Sequence, residues 1–187
     1  MLQIFRSCAL LLLLMITAAR VCRYTGAKRE TMHRELGVDC TVVQMPNSAV
    51  KTLSPADFEF YPNIEKLALV NNDIHTIAPG TFANLSRLFH INLNNNDLRT
   101  VRAGIFDNAN IPMSMVGNDS WFDPAEKAPD RTPYVLLDSN EISLIEDGAL
   151  EGLPKVSLHH NPLEHLSSAW FGIGRATQFI GIVFDSM

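Results

Sequence analysis

Cysteine is scarce in this chain, with three in 187 residues. Cys8 falls in an apolar N-terminal segment, so only Cys22 and Cys40 remain for the folded part. Two cysteines are too few for a structural zinc site built on thiolates. Long apolar runs are missing as well. The longest, Ala9 to Ala19, spans eleven residues, against the roughly 20 that a membrane-spanning helix needs. No dense basic run occurs, and 15 Lys and Arg face 20 Asp and Glu for a net charge of −5. A chain of that sign is a poor match for a phosphate backbone, so nucleic acid is not expected as a partner. Catalytic signatures are absent too: there is no G-x-S-x-G, P-loop or G-x-G-x-x-G. Gly172 and Gly174 stand without the rest of a nucleotide motif. His159, His160, Glu164 and His165 cluster without the H-E-x-x-H spacing that sets two imidazoles on one helix face. Composition alone does not exclude a Ser-His-Asp triad, but nothing marks one. The chain is therefore read as a non-enzyme with no cofactor and no metal.

What is present begins with an export signal. Arg6 gives a positive start, Ala9 to Ala19 an apolar centre, and Thr17 and Ala19 small residues before a cut ahead of Arg20. That is a signal-peptide layout, and it places the mature chain outside the cell. Removing residues 1–19 leaves 14 basic against 20 acidic residues, a net charge of −6. In an oxidising compartment the remaining pair, Cys22 and Cys40, is expected to form a disulfide. Arg20, Arg23, Lys28 and Arg29, closely followed by Glu30 and Glu35, read as a solvated arm.

The rest of the chain repeats. Ile64, Leu67, Leu69, Ile74, Ile77 and Phe82 recur 24 residues on as Leu88, Ile91, Leu93, Leu98, Val101 and Phe106, with Asn72 and Asn96 at one shared place. A weaker copy precedes them, with Cys40, Val43, Met45, Val50, Leu53, Phe58 and Ser48 at the marker place. Two later copies carry Val135, Leu137, Asn140, Ile142 and Ile145, then Val156, Leu158, Asn161, Leu163 and Leu166. Met113, Met115 and Asn118 read as a degraded copy between. The markers Ser48, Asn72, Asn96, Asn118, Asn140 and Asn161 are thus spaced by 24, 24, 22, 22 and 21 residues. An apolar-x-apolar stretch is a short strand with one face inward. No single turn can bury that face, so the turns must stack. An Asn side chain has both donor and acceptor, and can satisfy backbone groups that the bend leaves unpaired inside the coil.

This pattern, L-x-x-L-x-L-x-x-N-x-L-x-x-L followed by Phe, resembles the extracellular leucine-rich-repeat superfamily, in its type of about 24 residues per turn. It is similar to repeats of secreted immune-type proteins and Toll-like ectodomains. The resemblance runs from Cys40 to Phe171. It implies an α/β-type solenoid, a leucine-rich-repeat horseshoe segment with a parallel sheet on the concave face and a convex side of loops and 3₁₀ pieces. Residues 1–19 are then the signal peptide, 20–39 an N-terminal cap or arm, and 40–174 a solenoid of about six turns. Residues 175–187 are a terminal strand, Phe179 to Phe184, or a truncated further repeat. The 119–132 stretch departs from the pattern. Having no more residues than a normal repeat, it reads as a rewritten convex side in which Trp121 and Phe122 fill core places. Phe58, Phe82, Phe106 and Phe171 are expected to stack inside the convex side.

Function is expected on the concave face, where the outward residues of each strand form an open surface. The candidates are Lys66, His90, Asn92, Asn94, Tyr134, Asp138 and His159, with Tyr134, His90 and His159 as anchors because aromatic side chains dominate binding hot spots. Gln44, Ala68, Val70, Ser114, Val116, Leu136, Lys155 and Ser157 belong to the same expected face. Two sequons occur, at Asn84 and Asn118. Asn84 lies on the convex side and is expected to carry a glycan, whereas Asn118 is expected to be a buried marker. The reading is a secreted protein that binds an extracellular protein or glycan, in line with the innate-immune role the resemblance implies. The alternatives are a structural or adhesive matrix protein and the ectodomain fragment of a repeat receptor. Self-association through the uncapped C-terminal end is a further expectation, as solenoids need capped ends.

Overall fold

The structure, a computed structural model, describes residues 20–23, 39–107, 134–153 and 156–172. Six short parallel strands form one sheet: β1 Val21–Arg23, β2 Val42–Gln44, β4 Lys66–Ala68, β6 His90–Asn92, β8 Tyr134–Leu136 and β10 Val156–Ser157, neighbours in that order. Two-residue strands pair on the far side, β3 Thr52–Leu53 with β5 Thr76–Ile77 and β7 Thr100–Val101 with β9 Leu144–Ile145. The result is the parallel-sheet solenoid that the repeat implies. The sheet's inward row is Cys22, Val43, Leu67, Ile91, Val135 and Val156, held in register from strand to strand. Leu67, Ile91 and Val135 are fully buried, as are Leu69 and Leu93 in the next inward row.

The strands are short because the chain turns at each marker. Asn47, Asn71, Asn95, Ser139 and His160 each directly precede a marker and have φ between 53° and 56°. Asn tolerates this left-handed conformation better than most residues. The marker then closes the bend. Asn96 accepts the Ile74 N–H at 3.1 Å and donates to the carbonyls of Leu69, Leu93 and Asn94 at 3.0, 2.9 and 3.2 Å. Asn72 does the same for the Ser48 N–H and the Met45 and Leu69 carbonyls. Asn161 serves the Ile142 N–H and the Leu137 and Leu158 carbonyls. Asn72, Asn96 and Asn161 therefore each tie their own bend to the preceding coil.

The rung after Asn96 is Asn140, not Asn118. Asn140 accepts the Leu98 N–H at 3.2 Å and donates to the Leu93 carbonyl at 3.0 Å. The sheet agrees, since His90 pairs with Tyr134. That pairing spans 44 residues against 24 for Lys66 and His90, an excess of 20. The expected degraded coil at Met113, Met115 and Asn118 thus has no place between coil three and coil four, and those residues lie outside the described ones. From β2 to β10 the described sheet steps through four turns joining five coils, where about six coils were expected. Nor is the excess a rewritten convex side within the normal period, as its length had suggested. It is an insertion of nearly one repeat's length, so a count of periods cannot tell it from a degraded repeat. Trp121 and Phe122 fall within it, outside the described residues.

The ends are finished differently. Cys22 and Cys40 form the expected disulfide, with Cα atoms 5.9 Å apart, and β1 adds to the sheet through Cys22 opposite Val43. The basic arm is therefore partly structured. Arg20 bonds the Asp39 carboxylate at 2.8 Å, and the Arg23 Nε donates to the Gln44 Oε1 at 2.8 Å. Lys28 and Arg29 lie outside the described residues. At the other end a 3₁₀ turn, Ser168–Phe171, buries Trp170 and Phe171. Its Ala169 and Trp170 carbonyls accept the Gly148 and Leu150 N–H groups at 2.7 and 2.8 Å. The expected strand at Phe179 to Phe184 lies outside the described residues. On the convex side Phe58, Phe82 and Phe106 stack at 6.0 and 5.9 Å. Phe171 is buried beside Trp170, with Leu150 rather than an aromatic ring in the coil before it.

Candidate binding face

Strand alternation gives the sheet two outward rows, and register fixes their membership. The first is Val21, Val42, Lys66, His90 and Tyr134; the second is Arg23, Gln44, Ala68, Asn92, Leu136 and Ser157. A third series, Val70, Asn94, Asp138 and His159, follows where the strands end. Val21, Val42 and Arg23 are absent from the face read out of the sequence. Their place depends on β1 joining the sheet, and the only hint of that is the cysteine pair.

Outward position does not mean exposure. His90 and Asn92 are 5% and 4% exposed, and Ser157 is 3%, so the expectation of an open His90 anchor and an open Asn92 is corrected. The His90 ring packs edge-on against Phe89 at 4.9 Å, and the Lys66 ammonium lies 5.6 Å above the centre of Phe89. The apolar Phe89 just ahead of the strand thus draws both neighbours down. Asn92 Oδ1 accepts the Asn94 N–H at 3.0 Å. Gln44, Lys66, Val70, Asn94, Leu136, Asp138 and His159 are half-buried, with surface left for contact. Tyr134 is placed on β8 opposite His90, but its side chain lies outside the described residues, as do Ser114, Val116 and Lys155.

Two of the candidates also hold the sheet. Asn94 Oδ1 accepts the Asp138 N–H at 2.8 Å. Asp138 Oδ1 in turn accepts the His159 N–H at 2.8 Å and the Ser157 hydroxyl. This relay caps the exposed strand ends from coil to coil, a job that sequence spacing does not announce. His159 and His160 rings are 6.4 Å apart. Among the described residues no group of three or more His, Cys, Asp or Glu is placed to hold a metal ion, and none forms a helix long and apolar enough to cross a membrane.

A stack of parallel strands joined by buried Asn corners, with one sheet face turned outward, defines a solenoid binding scaffold. Residues 62–110 match the family model described as Leucine rich repeat, and the parallel-sheet solenoid that contains them has the architecture of such repeats. Among solved structures, the crystal structure of the TLR13–ssRNA13 complex is similar, with a TM-score of 0.54 at 20% identity over 75% of this chain. At that identity the likeness concerns the fold. The chain spans 17% of the length of that protein. No curated protein matches the sequence as a relative.

Proposed function

We propose that the chain is a secreted recognition protein that binds an extracellular protein or glycan on the concave sheet, in the manner of innate-immune repeat proteins. The observation that carries this reading is the patch of half-buried Gln44, Lys66, Val70, Leu136 and His159, spread over the outward rows and strand ends of one continuous six-stranded sheet. Such a surface mixes aliphatic stems with few charges, which suits protein or sugar better than phosphate. The similar TLR13 structure holds an RNA, but this chain's net charge of −5 opposes that ligand.

The test is capture of a partner from extracellular fluid by the mature chain, repeated with Lys66→Glu and Leu136→Asp. Arg99→Ala serves as control, as Arg99 is exposed and pairs with Glu141 away from the face. Loss of a specific partner with the two face variants but not the control supports the reading. A complex unchanged by all three removes this face as the binding site. One observation favours the adhesive or matrix alternative: among the described residues β10 is paired on one side only, with β8. Concentration-dependent self-association without a foreign partner is the outcome that would select it. As the domain of a longer receptor, the chain would use the same face.

A further inference from the structure

The convex side carries one feature that ligand recognition does not use. Phe60 is 55% exposed, the bulkiest of the exposed apolar residues among those described. Coils here repeat with an offset of 24: Leu53 pairs with Ile77, and the Phe58 and Phe82 rings lie 6.0 Å apart. Phe60 therefore occupies the same place as Asn84 in the adjoining coil. Asn84 opens the sequon Asn84-Leu85-Ser86, and both Asn84 and Ser86 are exposed. Between them Leu85 is fully buried, and its N–H donates to the Phe82 carbonyl at 3.0 Å. Leu85 thus anchors the turn and leaves the Asn84 amide projecting from a fixed point.

We propose that Asn84 carries an N-linked glycan and that its core sugars lie over the Phe60 ring. A pyranose has an apolar C–H face, and an aromatic ring offers a negative face that attracts polarised C–H groups. Such a glycan covers an apolar surface that water would otherwise meet and that could pair with other molecules. It is bulky and solubilising, and on the convex side it leaves the concave sheet open. The inference rests on export of the chain, so the experiment separates the two.

The chain is expressed in a eukaryotic secretory host twice, with its own residues 1–19 and with a proven leader in their place. The expected result is one discrete mass step, removed by peptide N-glycosidase, lost in Asn84→Gln and in Ser86→Ala, and kept in Asn118→Gln. Apolar-dye fluorescence should rise in Asn84→Gln and return to the starting level in Asn84→Gln with Phe60→Ser. An unmodified Asn84 behind the proven leader overturns the site. A glycan whose loss leaves dye binding unchanged overturns its placement over Phe60. Modification behind the proven leader alone overturns export by residues 1–19, and with it the glycan in the native chain, while Asn84 stands as a competent acceptor.

Discussion

At the residue scale, the marker asparagines and the residues beside them have different duties. Asn96 is buried and makes four hydrogen bonds, three of them through its amide nitrogen. Alanine there strands a buried N–H and the carbonyls of two coils, at a cost of about 1–3 kcal/mol for each group left unpaired. Asn94 is half-buried and its side chain accepts one bond, from the Asp138 N–H, so Asn94→Ala should cost about 1 kcal/mol. Thermal melts of the two variants check this, and equal midpoints would refute the division of labour. Tyr61 gives a second prediction. Its ring is 1% exposed, and burial raises the phenol pKa above its usual value. A raised acid pKa means the unfolded chain releases its proton first on alkalinisation. Tyr61 therefore favours the fold below about pH 10, the unfolded value, and that contribution falls as pH rises beyond it. Stability measured by denaturant melts should decline above that pH, and Tyr61→Phe should flatten the decline. An identical slope in the variant would show that other groups set it.

At the scale of the element, the coil that contains β6 closes directly onto the coil that contains β8, so the intervening 20-residue excess is not needed for pairing. Shortening 108–133 to six residues restores the connection length that coil two has at 84–89. The expected outcome is a protein with the same far-ultraviolet spectrum and a melting midpoint as high or higher, since shorter loops lose less entropy on closing. Loss of the folded state would place structural contacts in the excised stretch. The repeat pattern is ambiguous in this stretch alone. Two adjacent copies with identical spacing, Ile64 to Phe82 and Leu88 to Phe106, made strands, corners and core legible residue by residue. The insertion was hidden because it has nearly a repeat's length and offers Asn118 where a marker would fall. From β4 onward the face was legible in membership but not in depth. Alternation says that His90 points outward, yet its burial depends on Phe89 and on the adjoining strands. β1 had no repeat to announce it.

At the scale of the whole molecule, the Cys22–Cys40 bridge fastens β1 to the stack. A loop of 18 residues is worth about 3 kcal/mol in the chain-entropy account. Cys22→Ser, which spares the more deeply buried Cys40, should lower the melting midpoint and free Val21 and Arg23 from the sheet. Hydrogen exchange at Thr41 and Val42, whose N–H groups donate to the Arg20 carbonyl at 3.1 Å, should then quicken. Unchanged exchange there would mean that strand pairing alone holds β1.

The 44-residue pairing of β6 with β8 carries a kinetic consequence. A solenoid folds by adding coil to neighbouring coil, with stability shared between nearest neighbours. Every other junction after β2 closes over 21 to 24 residues. The β6–β8 junction closes over nearly twice that, which adds about 0.5 kcal/mol of closure entropy. The expected order is that coils 42–107 form first and coils 134–172 close onto them, which pulsed amide exchange during refolding would check. The finished joint is bonded like the others, with the Leu98 N–H on Asn140 and the Asn140 amide on the Leu93 carbonyl, so the long connection bears on the order of assembly and not on the strength of the seam.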